Sequence, residues 1–467
     1  NDSGVSHHVL DGVAGSTVYR GGAFPAEFYG NIFSGDAQNN LVHRRSLVAD
    51  GVLFRSDRLD RGTEFLRSTD NWFRPVNFVN APDGTLYVLD LAREVLEAVH
   101  IPMDVVSHLD LTSGLDRGRI FRVKPKDYRR PPQPRLSAFT TSQLVAALES
   151  PHAWWRETAH RLLYERQDKS AARPLRRMLQ KSASPQARVH ALWSLAGLKA
   201  LSDRDILTGL ADPFPGVREN ALRLTETRLP QSNRILSRCL ALAADANAGV
   251  RFQLAWTLGE SPAKETRVVR ALSIIAKRDP ADAFMRTAIL SSSYDCAARL
   301  LLELLRDGRF VQSIAARELV GELARFVGGR NRPEEVRPVL AAVLALERGE
   351  VQPAALAGLA DGLRRFGEPL NSWVRSLDSS LAQRFDRLMK DAVQTLADRA
   401  AAAAPTTAAL RLLENADWEK AAKPVLELLD RFPPSSVQVA AIRTLSRLSG
   451  SGLETAPRAG RARPRRR

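Results

Sequence analysis

Two cysteines in 467 residues, Cys239 and Cys296, exclude a fold built on a disulfide framework. Each sits among apolar residues of helical spacing and reads as a small buried hydrophobe. No Cys-x-x-Cys-His is present, so no c-type haem is attached to these residues. No uninterrupted apolar run reaches the ~18 residues that would span a bilayer. Lysine is scarce: of 68 basic residues, 10 are Lys and the rest Arg. Aromatic residues are few, at 6%, and no stripe alternates them with basic residues, so nucleic acid is not an expected partner. There is no Walker loop, no Gly-x-Gly-x-x-Gly, no Gly-x-Ser-x-Gly and no His-Glu-x-x-His. No metal set is expected either. All eight His precede residue 191, and the adjacent pair His7-His8 lacks a third spaced ligand. His152, His160 and His190 read as helix surface or filler. Ser261-Pro262-Ala263-Lys264 matches a bare Ser-x-x-Lys pattern, but at a turn and without companion motifs. The first residue is Asn1, with no basic-then-apolar leader after it. The expectation is a processed product or a piece of a longer reading frame.

What remains is an ordinary composition, 44% hydrophobic and 26% charged, long enough for two or three domains. Six of the sixteen net positive charges sit in the last eleven residues, "PRAGRARPRRR". Residues 451–467 therefore read as a basic, solvated tail.

From residue 141 the pattern is helical and repeated. "LVAALESPHAWWRETAHRLL", "LRRMLQKSASPQARVHALWSL", "LTGLADPFPGVRENALRLT", "CLALAADANAGVRFQLAWTL" and "LSIIAKRDPADAFMRTAIL" share one order. An apolar helical face comes first, then a small or acidic residue often with Pro, then an Arg that opens a second apolar helix. The anchors are Arg156, Arg188, Arg218, Arg251 and Arg286, about 30 to 35 residues apart, a period that marks stacked helical hairpins. Pro after Ser150, Ser184, Asp212 and Asp279 ends one helix and suits the first turn of the next. A small residue follows each anchor (Ala159, Ala191, Ala221, Ala255, Ala288) and allows close helix approach. One hairpin cannot bury its own apolar face, so neighbours must stack. The anchors are expected to bridge carboxylates or helix-end carbonyls of the neighbouring repeat. The array, similar to HEAT repeats, is expected over 141–306. Further irregular helical repeats are expected over 307–450, with a less regular middle at Gly328-Gly329 and the run Ala401–Ala404.

Residues 1–123 have the opposite character. "EFYGNIFSGD", "NLVHRRSLVADG" and "GRIFRV" are short strand-type runs. "NAPDGTLYVLD" reads as a hairpin turning at Asp83-Gly84. Hairpins at this spacing suggest propeller blades, but only two or three fit, fewer than closure needs. The fold expected is mostly α: a solenoid of HEAT-like repeats, preceded by an incomplete β-propeller portion and a Pro-rich linker over 124–140.

The strings "GDAQNNLVHRR", "FLRSTDNWFRPVNFVNAPDGTLYVLDLAREVLE", "HIP" and "HLDLTSGLDRGRIFRV" together resemble the planctomycete-type membrane-bound dehydrogenases. The resemblance is close over residues 20–123 and extends through the repeats in domain order. It implies an exported, periplasmic protein with an N-terminal six-bladed propeller, HEAT repeats and often a cytochrome c domain. This chain would be the last blades plus the array, holding no cofactor itself, with a quinone and haem c belonging to absent parts. Two departures stand out. Glu97-Ala98-Val99-His100 replaces an expected Glu-His-Pro, and Leu91-Ala92-Arg93 lacks an aromatic before its Arg.

On that resemblance, Asn40, His43 and Arg44 in one motif, and Asp70, Arg74 and Asp90 in the other, are candidates to bind a sugar or cofactor. An Arg can clamp a quinone or carboxylate oxygen and a His can serve as a base. The competing reading makes Asp70 and Asp90 turn caps and Arg74 a structural bridge, with Trp72 and Phe73 in the core. The function expected is a non-catalytic scaffold whose helical surface holds a partner protein or a neighbouring domain. The alternative is an oxidoreductase that oxidises a sugar or alcohol and passes electrons to a quinone or cytochrome.

Overall fold

The computed structural model describes residues 12–96, 102–132, 135–261, 266–346, 349 and 351–448. Among these the protein is mostly helical, with two small antiparallel sheets near the start. His7-His8, the Glu97–His100 departure, most of the Ser-x-x-Lys motif and the basic tail lie outside the described residues.

The strands are β1 (Val13–Val18), β2 (Ile32–Asp36), β3 (Leu41–Asp50), β4 (Leu53–Arg58), β5 (Leu66–Arg67), β6 (Pro75–Asn80), β7 (Leu86–Asp90) and β8 (Arg119–Val123). One sheet runs β1-β2-β3-β4, with β5 also on β3; the other runs β6-β7-β8. Alternation along each strand sends one set of side chains inward. Tyr19, Phe33, Val42, Phe73, Phe78, Leu86 and Val88 form the shared core, rimmed by Phe24, Phe28 and Phe65. The β6–β7 turn needs a residue of positive φ, and Gly84 supplies it at +83°. The Tyr19 hydroxyl fixes that turn from below. It donates to Gly84 O at 2.5 Å and accepts from Ala23 N and Phe24 N.

The helices that follow are α1 (Met103–Val106), α2 (Thr141–Ala147), α3 (Ala153–Arg166), α4 (Ala172–Lys181), α5 (Pro185–Gly197), α6 (Asp203–Leu210) and α7 (Pro215–Thr225). After them come α8 (Asn233–Ala241), α9 (Ala248–Thr257), α10 (Thr266–Arg278), α11 (Ala283–Ser293), α12 (Ala297–Leu305), α13 (Gly308–Val311) and α14 (Ala316–Arg330). The last are α15 (Pro333–Ala345), α16 (Val351–Leu363), α17 (Leu370–Val374), α18 (Ser379–Ala397), α19 (Ala403–Leu413), α20 (Trp418–Leu429) and α21 (Ser435–Leu445). By contact the chain divides into two compact units. One runs to Arg228 and takes in Asn247–Val250; the other is Leu229–Ala246 with the residues from Arg251 on.

In the first unit, α2, α4 and α6 each pack on the helix that follows, and each pair packs on the next. Local chemistry sets the boundaries. Ser184 accepts from Ala187 N and Pro185 occupies the first turn of α5. Ser202 and Asp205 close a reciprocal cap on α6. The Arg anchors recur in one geometry. Arg156, Arg188, Arg218 and Arg251 each donate Nη1 to the carbonyl six residues upstream, at 2.6 to 2.8 Å. Arg188 and Arg251 also grip Asp212 and Asp279 with two parallel bonds. Arg286 instead meets Glu318 at 2.6 Å. Ala159, Ala191, Ala221, Ala255 and Ala288 are fully buried. In the second unit α14 packs on α16, α16 on α19 and α19 on α21. No helix among the described residues is long and apolar enough to cross a membrane.

Candidate functional site

The six polar residues of the β portion come from two motifs, and among the described residues no hydrogen bond or ion pair runs between the side chains of Asn40, His43 or Arg44 and those of Asp70, Arg74 or Asp90. His43 and Arg44 are neighbours on β3 and point to opposite faces. His43 is 7% exposed. Its Nδ1 lies 2.6 Å from Glu64 Oε2 and its Nε2 3.8 Å from Asp36 Oδ2. Burial, with the Arg58 charge behind it, holds this imidazole below its ordinary value against the pull of Asp36. Arg44 makes two bonds to Asp60 and lies over the Phe28 ring. Asn40, with φ +58°, donates its amide to Phe73 O.

The second cluster is a chain of partners. Asp90 Oδ1 accepts from Arg74 N and Ala92 N, while Oδ2 lies 2.6 Å from Arg119 Nε. Arg119 reaches on to Asp70 at 2.8 Å. The Trp72 amide, then Arg119, holds the Asp70 carboxyl below the usual range. The Arg74 guanidinium donates to the carbonyls of Ala37, Gln38, Arg93 and Glu94. Four of its five N–H groups are therefore committed to backbone, which leaves no free fork for a quinone or carboxylate. Phe73 is buried, and Trp72 is half-buried under the Arg117 guanidinium.

Arg74 ties the carbonyls after β2 to those after β7. Arg74→Met is expected to cost the first unit about 2–3 kcal/mol, because charge-assisted bonds are lost and carbonyls are left unpaired. Urea unfolding followed by tryptophan fluorescence checks it, and a change below the scatter of replicates would remove the bridging role.

Sequence reasoning missed the polar node at the β6–β7 turn. Asp83 is 2% exposed and binds Thr85 and Arg122. Burial alone would raise its carboxyl; the bonds from Thr85 and Arg122 outweigh that and hold it low. The same turn receives Tyr128 Oη at Asp83 O and Trp155 Nε1 at Pro82 O. Trp155 belongs to α3, so this turn joins the β portion to the first helices. His160 and His190 lie nearby on α3 and α5, half-buried, with ring centres 5.3 Å apart. Burial first, then the charges of His160, Arg156 and Arg20, pushes His190 down to about 4 from 6.5. Between those values the unfolded chain holds a proton that the folded chain refuses. Stability from this site is present above pH 6.5 and lost as the pH falls towards 4. In His190→Gln the midpoint of urea unfolding is expected to depend less steeply on pH in that window. An unchanged slope would refute it.

A large hollow lies in the second unit, across α14, α16, α19 and α21. It has a volume of about 1020 Å³. Through Asp361, Thr407, Arg411 and Ser436 it continues into a second hollow of about 700 Å³. Ala354, Ala357, Gly358, Ala404 and Ala408 form much of the lining. Six Arg and four carboxylates line the two hollows. Each carboxylate is engaged. Glu318 meets Arg286, and Glu322 meets Arg325. Asp361 takes Arg364 and Arg447, while Glu414 takes Arg447 with Arg364 and Arg443 further off. Arg411 is exposed and makes no ion pair or side-chain hydrogen bond among the described residues. Among them, no group of His, Cys, Asp and Glu is placed to hold a metal. The one hint in the sequence was small residues at helical spacing beside Arg, which also fits ordinary close packing.

Comparison with known proteins gives little beyond this geometry. Residues 2–127 match the model of a domain of unknown function, DUF7133. The curated proteins give no match. Among solved structures the chain is similar to an engineered protein, at 16% identity over 67% of this chain and 99% of that one, with a TM-score of 0.26.

Proposed function

We propose that this chain is a non-catalytic interaction scaffold: an α-solenoid of HEAT-like repeats that holds a partner protein, following the last blades of a β-propeller in an exported dehydrogenase-like protein. The observation that carries the reading is the long groove across α14, α16, α19 and α21, with its small-residue floor and Arg-rich rim. Stacked helical repeats bind partners along extended surfaces of this kind. The Arg-to-carbonyl tie, repeated in four successive helical hairpins, supports the solenoid reading. In the β portion, Arg44, Arg74 and Asp90 spend their polar groups on the fold. Oxidation of a sugar or alcohol there would first require those partners to be released.

The test uses a photo-crosslinking residue placed at Ala404 in the groove and, separately, at Phe54 on β4. Crosslinking in the source organism to one defined protein from Ala404 supports the scaffold. Crosslinks from Phe54 alone, or from neither, would overturn it.

A further inference from the structure

We infer that the groove takes an acidic segment of a partner protein, with a carboxylate seated on Arg411 and aliphatic side chains against Ile314 and Val439; this rests on the scaffold reading above. Charge decides the sign. Six Arg against four carboxylates leave the lining positive. The four acids already have Arg partners, whereas Arg411 has none among the described residues. It lies where the two hollows meet, and a carboxylate arriving there would supply its first ion pair.

The apolar part follows from exposure. Ile314, in the first hollow, is 69% exposed, and Val439, in the second, is 66% exposed. Between them the Ala and Gly floor lets a backbone approach closely. The segment that fits carries Asp or Glu between aliphatic residues. Nucleic acid fits less well, because no aromatic residue lines either hollow and four carboxylates would face its phosphates. The chain's own end, "PRAGRARPRRR", carries the wrong sign.

The experiment is fluorescence polarisation on the full chain with two labelled peptides of equal length and identical aliphatic residues, one bearing Glu and the other Lys. The Glu peptide is expected to bind, and to bind less tightly as salt rises. Arg411→Glu is expected to weaken it about tenfold or more and to improve binding of the Lys peptide. Arg387→Glu, an exposed change on α18 outside the groove, is expected to leave both unchanged. If Arg411→Glu does not fold, Arg411→Met removes the charge and keeps the stem. Equal binding of both peptides, equal loss in Arg387→Glu, or an Arg411-dependent site filled as tightly by single-stranded DNA would each overturn the inference. So would no binding of either peptide. If the Ala404 crosslink still captures a partner whose crosslinked segment is not acidic, the scaffold survives and only this inference falls.

Discussion

Asp212→Ala is expected to lower the stability of the first unit by about 3–5 kcal/mol, the range found when one partner of a buried ion pair is removed. Asp212 serves two successive hairpins at once. Its carboxylate accepts both Arg188 bonds, at 2.7 and 2.9 Å, and also the Phe214 amide at 2.8 Å ahead of α7. Its backbone carbonyl accepts from Arg218 at 2.8 Å. The paired side chains are only 12% and 5% exposed, so water cannot replace the lost carboxylate at the Arg188 guanidinium. Removing both charges should hurt less than removing one. The double variant Arg188→Met/Asp212→Leu is expected to recover part of the loss, since apolar replacements of a buried pair are often near neutral. Urea unfolding of the wild type, Asp212→Ala and the double variant checks the order. A single variant as stable as the wild type would mean that the pair is solvated in solution.

That node also shows how far the sequence could be read. The spacing of the five Arg marked the hairpin turns, because each helix that opens after a turn has unpaired backbone groups near it and an Arg can reach back to them. For four of the Arg the upstream carbonyl is a local partner, six residues away, and so lies within reach of a sequence reading. The choice of Asp212 for Arg188, but Glu318 for Arg286, depends on which helices meet in space. In the β portion, β2, β3, β6, β7 and β8 fall on runs rich in β-branched, aromatic and alternating residues. β1, "VAGSTV", and β4, "LFRSDR", are weaker in that code and take their place by pairing with β2 and β3. The six candidate polar residues are legible by motif. Their partners, such as Arg119 for Asp90 from 29 positions away, are not, and those partners decide whether a side chain is free to act. The groove was hardest to see. Its lining comes from segments between Arg286 and Arg447, and its floor is Ala and Gly, which carry no chemical signature alone.

Two glycines of the packed pair α14 and α16 should respond to alanine with opposite signs. Gly358, on α16, faces α14 so closely that a Cβ would lie 2.0 Å from Gly321 O. That atom is backbone, so relief requires the two helices to separate along their contact. Gly362, one turn on, meets Arg325 O at 2.4 Å in the same way. Gly329 is also helical, at the end of α14, but a Cβ there would meet nothing within 4 Å. Alanine is favoured over glycine inside a helix by about 1 kcal/mol. At Gly329 that gain stands unopposed, and Gly329→Ala is expected to stabilise the second unit by up to about 1 kcal/mol. At Gly358 overpacking of about 1–3 kcal/mol or more opposes it, and a backbone acceptor at 2.0 Å places the cost at the upper end. Gly358→Ala is therefore expected to destabilise, and Gly358→Val to do so further, because a β-branched residue adds bulk against the same carbonyl. Thermal unfolding by circular dichroism separates the cases by the direction of the midpoint shift. If Gly358→Ala raised the midpoint as Gly329→Ala should, α14 and α16 would not be in backbone contact in solution. The groove floor that Gly321 and Gly358 share would then be wider.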